Sequence, residues 1–182
     1  WGEVGITAHC LLSDIPSDLS FIDQRADLQE RWKLWREEKQ RRAMREGGNG
    51  VNSAALFSAL SQECPENAVI AVDVGNNTYS FGRYFECARH SILMSGYLGS
   101  IGFGFPAAMG AWAAAPDRPI VAVTGDGGFG QYMGELCTAV KYKIPIKHIL
   151  LNNNELGKIS KEQRDDGKPV WSTSLHNPDF YR

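Results

Sequence analysis

The sequence has 182 residues, of which 43% are hydrophobic and 22% charged, and its formal net charge is −2. This composition is close to the average for globular proteins, and it excludes a mainly disordered chain, a collagen-like chain and a disulfide-rich miniprotein. The charge gives no basic field for a nucleic acid or an anionic membrane, and no apolar run approaches the roughly 20 residues that span a bilayer.

The first predicted elements are a short region with a turn and a long helix. Residues 1–19, with a turn at Asp14–Ser17, are too few to bury a core. From Ser20, which with Asp23 resembles a capping box, the pattern becomes helical. Its apolar side chains form one stripe on a surface of mixed charge: Leu28, Trp32 and Trp35. Mixed charge is typical of a solvated helix face, so we interpret residues 20–50 as a linker helix whose tryptophans dock on a neighbouring domain.

The glycines of Gly47–Gly50 predict a domain boundary. Beyond it, strand and helix signals alternate. The predicted strands cover residues 69–74, about 92–94, 119–124 and 146–152, and the predicted helices cover 52–62, about 105–114 and 133–142. Strands separated by helices of this length predict a doubly wound α/β fold, with a parallel sheet covered by helices on both faces. Ligands of such sheets bind outside the carboxyl ends of the strands.

Two of these strand ends carry groups suited to an anion and a cation. After the third strand comes Gly125-Asp126-Gly127-Gly128, where glycines let backbone amides approach an anion. A carboxylate among such amides suggests a bridging Mg²⁺, although Gly-Asp-Gly alone is common in tight turns. The fourth strand ends in Asn152 and Asn153, which either form a turn or place a second oxygen ligand 27 residues after Asp126.

The pattern from Gly125 to Asn153 resembles the diphosphate–Mg²⁺ fingerprint of thiamine-diphosphate-dependent enzymes. Residues 95–108 resemble the loop that holds the cofactor's aminopyrimidine ring in pyruvate oxidases and acetolactate synthases, and residues 73–77 resemble their first diphosphate loop. The resemblance is close over residues 51–165. It implies that residues 1–19 are the end of a central domain and that residues 20–50 are a linker helix. Residues 51–182 would be a thiamine-diphosphate-binding domain that is truncated at its C-terminus.

The resemblance implies roles for individual residues. Mg²⁺ would be bound by Asp126, the side chain of Asn153 and the main-chain carbonyl of Glu155. The cofactor's diphosphate would meet the backbone of Gly75, Asn76, Gly125, Gly127, Gly128 and Phe129. The carbonyl of Gly99 would accept a hydrogen bond from the 4′-amino group. Ile101 would be the apolar wedge that bends the cofactor into its reactive shape, and we count it as catalytic.

The reaction is predicted more coarsely. Glu162 resembles an active-site glutamate of pyruvate oxidases, although a solvated helix-face charge explains it equally well. It favours a pyruvate-oxidase-like decarboxylation of a 2-keto acid through an enamine intermediate. An acetolactate-synthase-like carboligase and a benzoylformate-decarboxylase-like enzyme are alternatives. A Rossmann dinucleotide-binding module is a remote one, since the Gly99–Gly104 glycines lack the Gly-x-Gly-x-x-Gly order after the first strand.

The family also implies partners that this sequence does not contain. A glutamate from another domain, usually of a second chain, activates the cofactor, and no segment here resembles that domain. We therefore expect a homodimer or homotetramer and a chain that is inactive alone. The use of FAD is left open. The start at Trp1 and the first methionine at Met44 suggest a piece of a larger protein. Four scattered cysteines, Cys10, Cys64, Cys87 and Cys137, predict buried reduced thiols and a cytoplasmic location.

Overall fold

The computed structural model describes residues 2–20, 22–45 and 50–181. The chain divides into two compact units, Trp1–Glu38 and Lys39–Arg182. The predicted boundary at Gly47–Gly50 lies, except for Gly50, outside the described residues. The division into a linker over 20–50 and a domain over 51–182 therefore stays a prediction.

The first unit begins with helix α1 (Val4–Asp14), an element that the sequence analysis did not predict. The Glu3 carboxylate caps this helix by accepting hydrogen bonds from the backbone N–H groups of Gly5 and Ile6, at 2.9 and 2.8 Å. No residue of α1 is buried. Its large apolar side chains are exposed, at Val4, Ile6, Leu11 and Leu12.

Helix α2 (Arg25–Ala43) contains the predicted tryptophan stripe but begins later than predicted. The backbone N–H of Arg25 donates to Oδ1 of Asp23 at 3.0 Å, so the predicted capping box at Ser20 is wrong. Leu28 and Trp32 are each 49% exposed. With Arg31 and Trp35 they line a shallow groove of about 230 Å³. What covers this groove stays a prediction.

The second unit is built on a four-stranded parallel sheet, which confirms the predicted fold class. Its strands are β1 (Val69–Val72), β2 (Ser91–Met94), β3 (Ile120–Gly125) and β4 (Ile146–Leu151), in the order β2-β1-β3-β4. The chain moves from β1 to β2 on one side and to β3 on the other. The carboxyl ends of β1 and β3 therefore form a topological switch point, where ligands of such sheets bind.

Helices cover both faces of the sheet. Alternate residues of β1 point to opposite faces, so Ile70 and Val72 belong to one apolar cluster while Val69 and Ala71 belong to another. The first cluster includes residues of α3 (Ser53–Glu63) and α4 (Asn76–Tyr84). The second includes residues of α5 (Gly104–Ala114), α6 (Asp126–Tyr132) and α7 (Glu135–Lys141). A last helix, α8, covers Gly157–Asp165.

Several predicted details need correction. The first strand ends at Val72, so Asp73 and Val74 have already left the sheet. The predicted helix 133–142 corresponds to α7. A separate helix, α6, which was not predicted, precedes it and begins directly after β3. Of the four cysteines, only Cys64 is buried, because the other three lie on surface positions: Cys10, Cys87 and Cys137. Among the described helices, none combines the length and the apolar character that a membrane span needs.

Candidate functional site

A cleft of about 710 Å³ opens at the carboxyl ends of the strands. Its walls come from the segments that follow all four strands, as the switch-point rule predicts. Ten of the predicted site residues line it: Gly75, Asn76, Gly99, Ile101, Gly125, Asp126, Gly127, Gly128, Asn153 and Glu155. The structure therefore brings together, at one end of the sheet, residues that are up to 80 positions apart in the sequence.

Phe129 is one of the two predicted residues that do not line the cleft. Its ring is 4% exposed and packs in the core, with its centroid 4.5 Å from that of the His148 ring and 5.6 Å from that of Phe105. The role predicted for Phe129 belongs to its backbone amide, and that role stays a prediction.

Glu162 is the other. It lies on α8, where its carboxylate, 57% exposed, forms an ion pair with the ammonium group of Lys158 one turn earlier. Lys158 itself lines the cleft and lies over the ring of Tyr79 on α4, 5.2 Å from its centroid. The structure thus places Glu162 on a helix face beside the cleft, and its catalytic role stays a prediction.

The floor of the cleft is backbone without side chains. A Cβ atom on Gly127 would lie 2.7 Å from Cδ2 of Leu156, and one on Gly128 would lie 2.1 Å from Oδ2 of Asp73. Neither position has room for a side chain. Gly75, at the start of α4, has φ +134°, a conformation that favours glycine. Bare backbone on both sides is what a site built on main-chain amides requires.

The Asp126 carboxylate is held in one orientation by surrounding donors. The side chain is 3% exposed. Its Oδ2 atom accepts hydrogen bonds from the backbone N–H of Asn154 and the side-chain amide of Asn177, both at 2.7 Å, and from the backbone N–H of Asn153 at 3.3 Å. Oδ1 accepts one, from Gly127 N–H at 3.0 Å. Oδ2 is therefore satisfied by the protein, and Oδ1 is the atom left to bind a further group.

Oδ1 of Asp126 is one of three oxygen atoms that lie close together, with the side-chain oxygen of Asn153 and the carbonyl oxygen of Glu155. The side-chain oxygen of Asn153 lies 3.2 Å from Oδ1 of Asp126 and 2.9 Å from the carbonyl oxygen of Glu155. All three are acceptors, so the arrangement is stable only if a cation lies among them, or if the amide turns and its nitrogen donates to the other two. Neighbouring ligands of an octahedral Mg²⁺, with bonds of about 2.1 Å, lie about 3 Å apart. The two distances from the side-chain oxygen of Asn153 fit that geometry.

The donor set is unusual in containing a single carboxylate. Within residues 2–20, 22–45 and 50–181, no group of three or more His, Cys, Asp and Glu side chains could hold a metal. The candidate cation site instead combines a carboxylate, an amide oxygen and a backbone carbonyl. Such hard oxygen ligands, few in number, suit Mg²⁺, which keeps positions for waters and phosphate oxygens.

Asn177 is a site residue that the sequence analysis missed. Residues 173–177 lie against the Asn-Asn turn, where Leu175 N–H donates to the carbonyl of Asn154 at 2.8 Å. This brings the Asn177 amide to Oδ2 of Asp126 and, at 2.9 Å, to the side-chain oxygen of Asn152. Asn177 stands 51 residues after Asp126, and its only local signal was that of a helix start.

Ile101 reaches the cleft from the segment after β2. It lies between Gly99 (φ +61°) and Gly102 (φ +90°), and its side chain is 36% exposed. Its Cδ1 lies 3.9 Å from the position of a Cβ on Gly127. The predicted wedge therefore faces the predicted diphosphate loop across the cleft.

A half-buried histidine lies on β4, whose carboxyl end borders the cleft. His148, on β4, shares a hydrogen bond of 2.7 Å between its Nε2 and Oγ1 of Thr124. Its ring packs against Phe105 and Phe129, with centroids 5.1 and 4.5 Å away. Burial lowers the pKa of His148 to about 4, because the apolar surroundings disfavour the imidazolium. The ring is therefore a neutral part of the core at physiological pH.

Comparisons with known proteins agree with this geometry. The sequence profile described as thiamine pyrophosphate enzyme, C-terminal TPP binding domain, matches residues 73–182. Thiamine pyrophosphate and thiamine diphosphate are the same molecule. The chain is 40% identical, over 126 residues, to YdaP of Bacillus subtilis (strain 168), which is named as a thiamine pyrophosphate-containing protein; the match covers 69% of this chain and 22% of that one.

It is also 33% identical, over 136 residues, to the acetolactate synthase isozyme 2 large subunit of Escherichia coli (strain K12), covering 73% of this chain and 25% of that one. Among solved structures, the thiamine diphosphate-dependent 4-hydroxybenzoylformate decarboxylase of Rhodococcus jostii RHA1 is similar, with a TM-score of 0.68 and 28% identity. That match covers 75% of this chain and 26% of the decarboxylase. The chain thus spans about a quarter of the length of these relatives.

Proposed function

The chain belongs to the thiamine pyrophosphate enzymes, whose C-terminal TPP binding domain it carries, and on that basis we propose that its cleft holds the diphosphate of thiamine diphosphate through Mg²⁺. One observation carries the metal part of this proposal: the side-chain oxygen of Asn153 lies 3.2 Å from Oδ1 of Asp126 and 2.9 Å from the carbonyl oxygen of Glu155. Beside it are Gly127 and Gly128, where a side chain would force a neighbouring side chain to move.

The residues present fit this ligand. Oδ1 of Asp126, the side-chain oxygen of Asn153 and the carbonyl of Glu155 would bind the metal, while waters and diphosphate oxygens would complete its octahedron. The backbone of residues 127–129 and of residues 75–76 would approach the diphosphate from the two sides of the switch point. Ile101 would orient the cofactor by its bulk, and the carbonyl of Gly99 would accept a hydrogen bond from its ring.

The proposed reaction is the decarboxylation of a 2-keto acid. When bound, thiamine diphosphate supplies a nucleophilic carbon and an electron sink for this chemistry, and the protein supplies shape and placement. The similarity to a decarboxylase of an arylglyoxylate, itself a 2-keto acid, supports this class of substrate. The dinucleotide-binding alternative has no support, since the glycines at 99, 102 and 104 follow the edge strand β2.

Two reactions that begin with decarboxylation of a 2-keto acid can be distinguished by their products. A pyruvate-oxidase-like outcome, with FAD in the whole protein, is supported by the resemblance around Glu162. An acetolactate-synthase-like carboligation is supported by the similarity to the acetolactate synthase subunit of Escherichia coli. Product analysis after incubation of the protein with pyruvate separates them. Carboligation yields a five-carbon hydroxy acid, whereas oxidative decarboxylation consumes an electron acceptor.

The whole site is proposed to form between subunits. The activating glutamate would come from another domain or a second chain, in a homodimer or homotetramer. This part of the proposal rests on the resemblance to the family. A cytoplasmic location is supported by the free thiols of all four cysteines. The test compares CO₂ release from a 2-keto acid with thiamine diphosphate and Mg²⁺. A protein that includes the glutamate domain should release CO₂, and these 182 residues alone should not exceed background.

A further inference from the structure

Asp73 is a buried carboxylate that the proposed function does not use. It follows β1 directly, is 0% exposed, and is absent from the residues that line the cleft. Oδ1 accepts hydrogen bonds from the backbone N–H groups of Val74 at 2.7 Å and Gly102 at 2.8 Å. Oδ2 has no hydrogen-bond partner among the described residues. Burial of a carboxylate with an unpaired oxygen costs free energy, so its presence calls for a compensating role.

The surroundings of Asp73 come from both halves of the proposed cofactor site. A Cβ on Gly128, in the diphosphate loop, would lie 2.1 Å from Oδ2, and a Cβ on Gly104 would lie 2.9 Å from Cβ of Asp73. Burial raises the pKa of the Asp73 carboxyl, and the backbone amides of Val74 and residues 102–104 oppose the rise. The carboxylate is therefore enclosed by backbone from three segments that follow three different strands.

The segment that carries Ile101 has few other attachments. Gly99 and Gly102 both have positive φ, and glycine costs little in many backbone conformations. Two side-chain acceptors reach residues 99–102 in the described structure. Oγ of Ser95 accepts from Ser100 N–H at 3.0 Å within the same loop. Oδ1 of Asp73 accepts from Gly102 N–H and so links the segment to the end of β1.

We propose that Asp73 is a positioning residue, which holds residues 99–102 in place through the Gly102 N–H. It thereby sets the distance between the Ile101 side chain and the backbone of Gly127 and Gly128. The inference rests on the proposed function only for the identity of the ligand. The Asp73 carboxylate accepts a hydrogen bond from Gly102 in the segment 99–102 and one from Val74 within its own loop, whereas it meets Gly128 only by packing. Its acceptor therefore matters more for the cofactor's rings, which residues 99–102 would hold, than for its diphosphate. A loop fixed in advance binds without the cost of ordering it.

The experiment compares Asp73→Ala, which removes the acceptor, with Asp73→Asn, which keeps an Oδ1 of the same shape. Amide hydrogen exchange of Gly102, followed by NMR, reports the loop without any ligand. Calorimetric titrations with thiamine diphosphate and with inorganic pyrophosphate, each with Mg²⁺, report the two halves of the site. In Asp73→Ala we expect about tenfold less protection of Gly102 and about tenfold weaker thiamine diphosphate binding. Pyrophosphate affinity should change by no more than about twofold, and Asp73→Asn should restore the loop.

Three results would overturn the proposal. One is a Gly102 N–H that exchanges in the wild-type protein as fast as exposed loop amides do. This measurement needs no variant, so it tests the proposal even if Asp73→Ala does not fold. Another is an equal loss of affinity for both ligands in Asp73→Ala. A third is Asp73→Asn behaving like Asp73→Ala. If the wild-type protein binds neither ligand, the proposed function fails instead, while the Gly102 exchange still tests the role of Asp73.

Discussion

One terminal atom of the Asn153 side-chain amide lies 3.2 Å from Oδ1 of Asp126. At this distance the pair can share a cation if the atom is the amide oxygen, or form a hydrogen bond if it is the nitrogen. The sheet produces this contact. Strands β3 and β4 pair in parallel with Gly125 opposite Leu151, so the residues that follow each strand meet at one edge. Two motifs that are each common in turns thus meet at one place because of strand register, where we propose that they bind a cation.

Asn177 should matter through the orientation it gives Asp126. Its amide donates to Oδ2 at 2.7 Å, which turns Oδ1 toward the converging oxygens. Removing such an outer donor usually costs a metal site about 10- to 100-fold in affinity. We expect Asn177→Ala to raise the Mg²⁺ concentration needed for half-maximal thiamine diphosphate binding by about tenfold. Asn67→Ala, at an exposed turn remote from the cleft, serves as the control. An unchanged Mg²⁺ requirement in Asn177→Ala would remove the residue from the site.

Ile101 should affect activity more than cofactor affinity. If its bulk sets the shape of the cofactor, Ile101→Ala leaves the diphosphate anchored while the reacting atoms are misplaced, and a misplacement of about 1 Å can cost roughly 100-fold in rate. Affinity should fall by no more than about tenfold, since only part of one apolar contact is lost. Steady-state decarboxylation and calorimetry on the full protein measure the two effects. Equal losses of activity in Ile101→Ala and in the bulk-preserving Ile101→Leu would contradict a shape role.

The contact between Gly128 and Asp73 predicts a measurable coupling. The methyl group of Gly128→Ala would overlap the Asp73 carboxylate, and overpacking of this kind costs about 1–3 kcal/mol. In the Asp73→Ala background the overlapping atoms are gone, so the same substitution should cost less, with an interaction energy of about 1–2 kcal/mol. Chemical denaturation of the four proteins in the cycle gives this number.

Gly130→Ala is the matched control, because Gly130 lies in the same helix, α6, and a Cβ there meets nothing within 4 Å. Replacing a helical glycine by alanine stabilises by roughly 0.5–1 kcal/mol where there is space. Additive free energies in the Gly128 and Asp73 cycle would show that the two residues do not touch.

His148 should make the fold sensitive to mild acid. Its pKa is lowered from 6.5 to about 4 in the folded protein, so the unfolded chain binds a proton that the folded one does not. The free energy of unfolding should therefore fall as the pH drops from 6.5 to 4, by at most about 3 kcal/mol. The raised pKa of Asp73 has the opposite effect on the free energy of unfolding. The contribution of His148 is therefore measured by comparing the wild-type protein with a His148 variant.

His148→Gln keeps a hydrogen-bonding group for Thr124 but does not titrate. Urea denaturation at pH 7 and at pH 4.5 should show that the wild-type protein loses more stability than His148→Gln. Above pH 6.5 the difference between the two proteins should be constant. Parallel losses in both proteins would mean that His148 does not cause the acid sensitivity.

The sequence could predict the sheet and the residues that meet at its edge because their signals are local. Strands such as Val69–Val72 are buried on both faces and read as short continuous apolar runs. Asp126 and Asn153 stand directly at strand ends, where the parallel topology alone brings them together. Helix α1 was not predicted, although Val4, Ala8 and Leu11 have the spacing of one helix face.

Asp73 and Asn177 could not be predicted because their partners are remote. Asp73 meets Gly102, 29 positions away, and Asn177 meets Asp126, 51 positions away. An aspartate after a strand and an asparagine before a proline each read as ordinary turn residues. Their roles depend on contacts between segments that are distant in the sequence, and no local spacing of residues predicts such contacts.

The most direct test of the metal–diphosphate site is calorimetric titration of thiamine diphosphate into the protein, with Mg²⁺ and with EDTA. We compare the wild type with Asp126→Ala and with the control Asp165→Ala, whose exposed carboxylate pairs only with Lys161 among the described ion pairs. The account predicts binding that requires Mg²⁺, a loss of more than about 100-fold in Asp126→Ala, and no change in Asp165→Ala. Affinity that is unchanged in EDTA, or unchanged in Asp126→Ala, would contradict it.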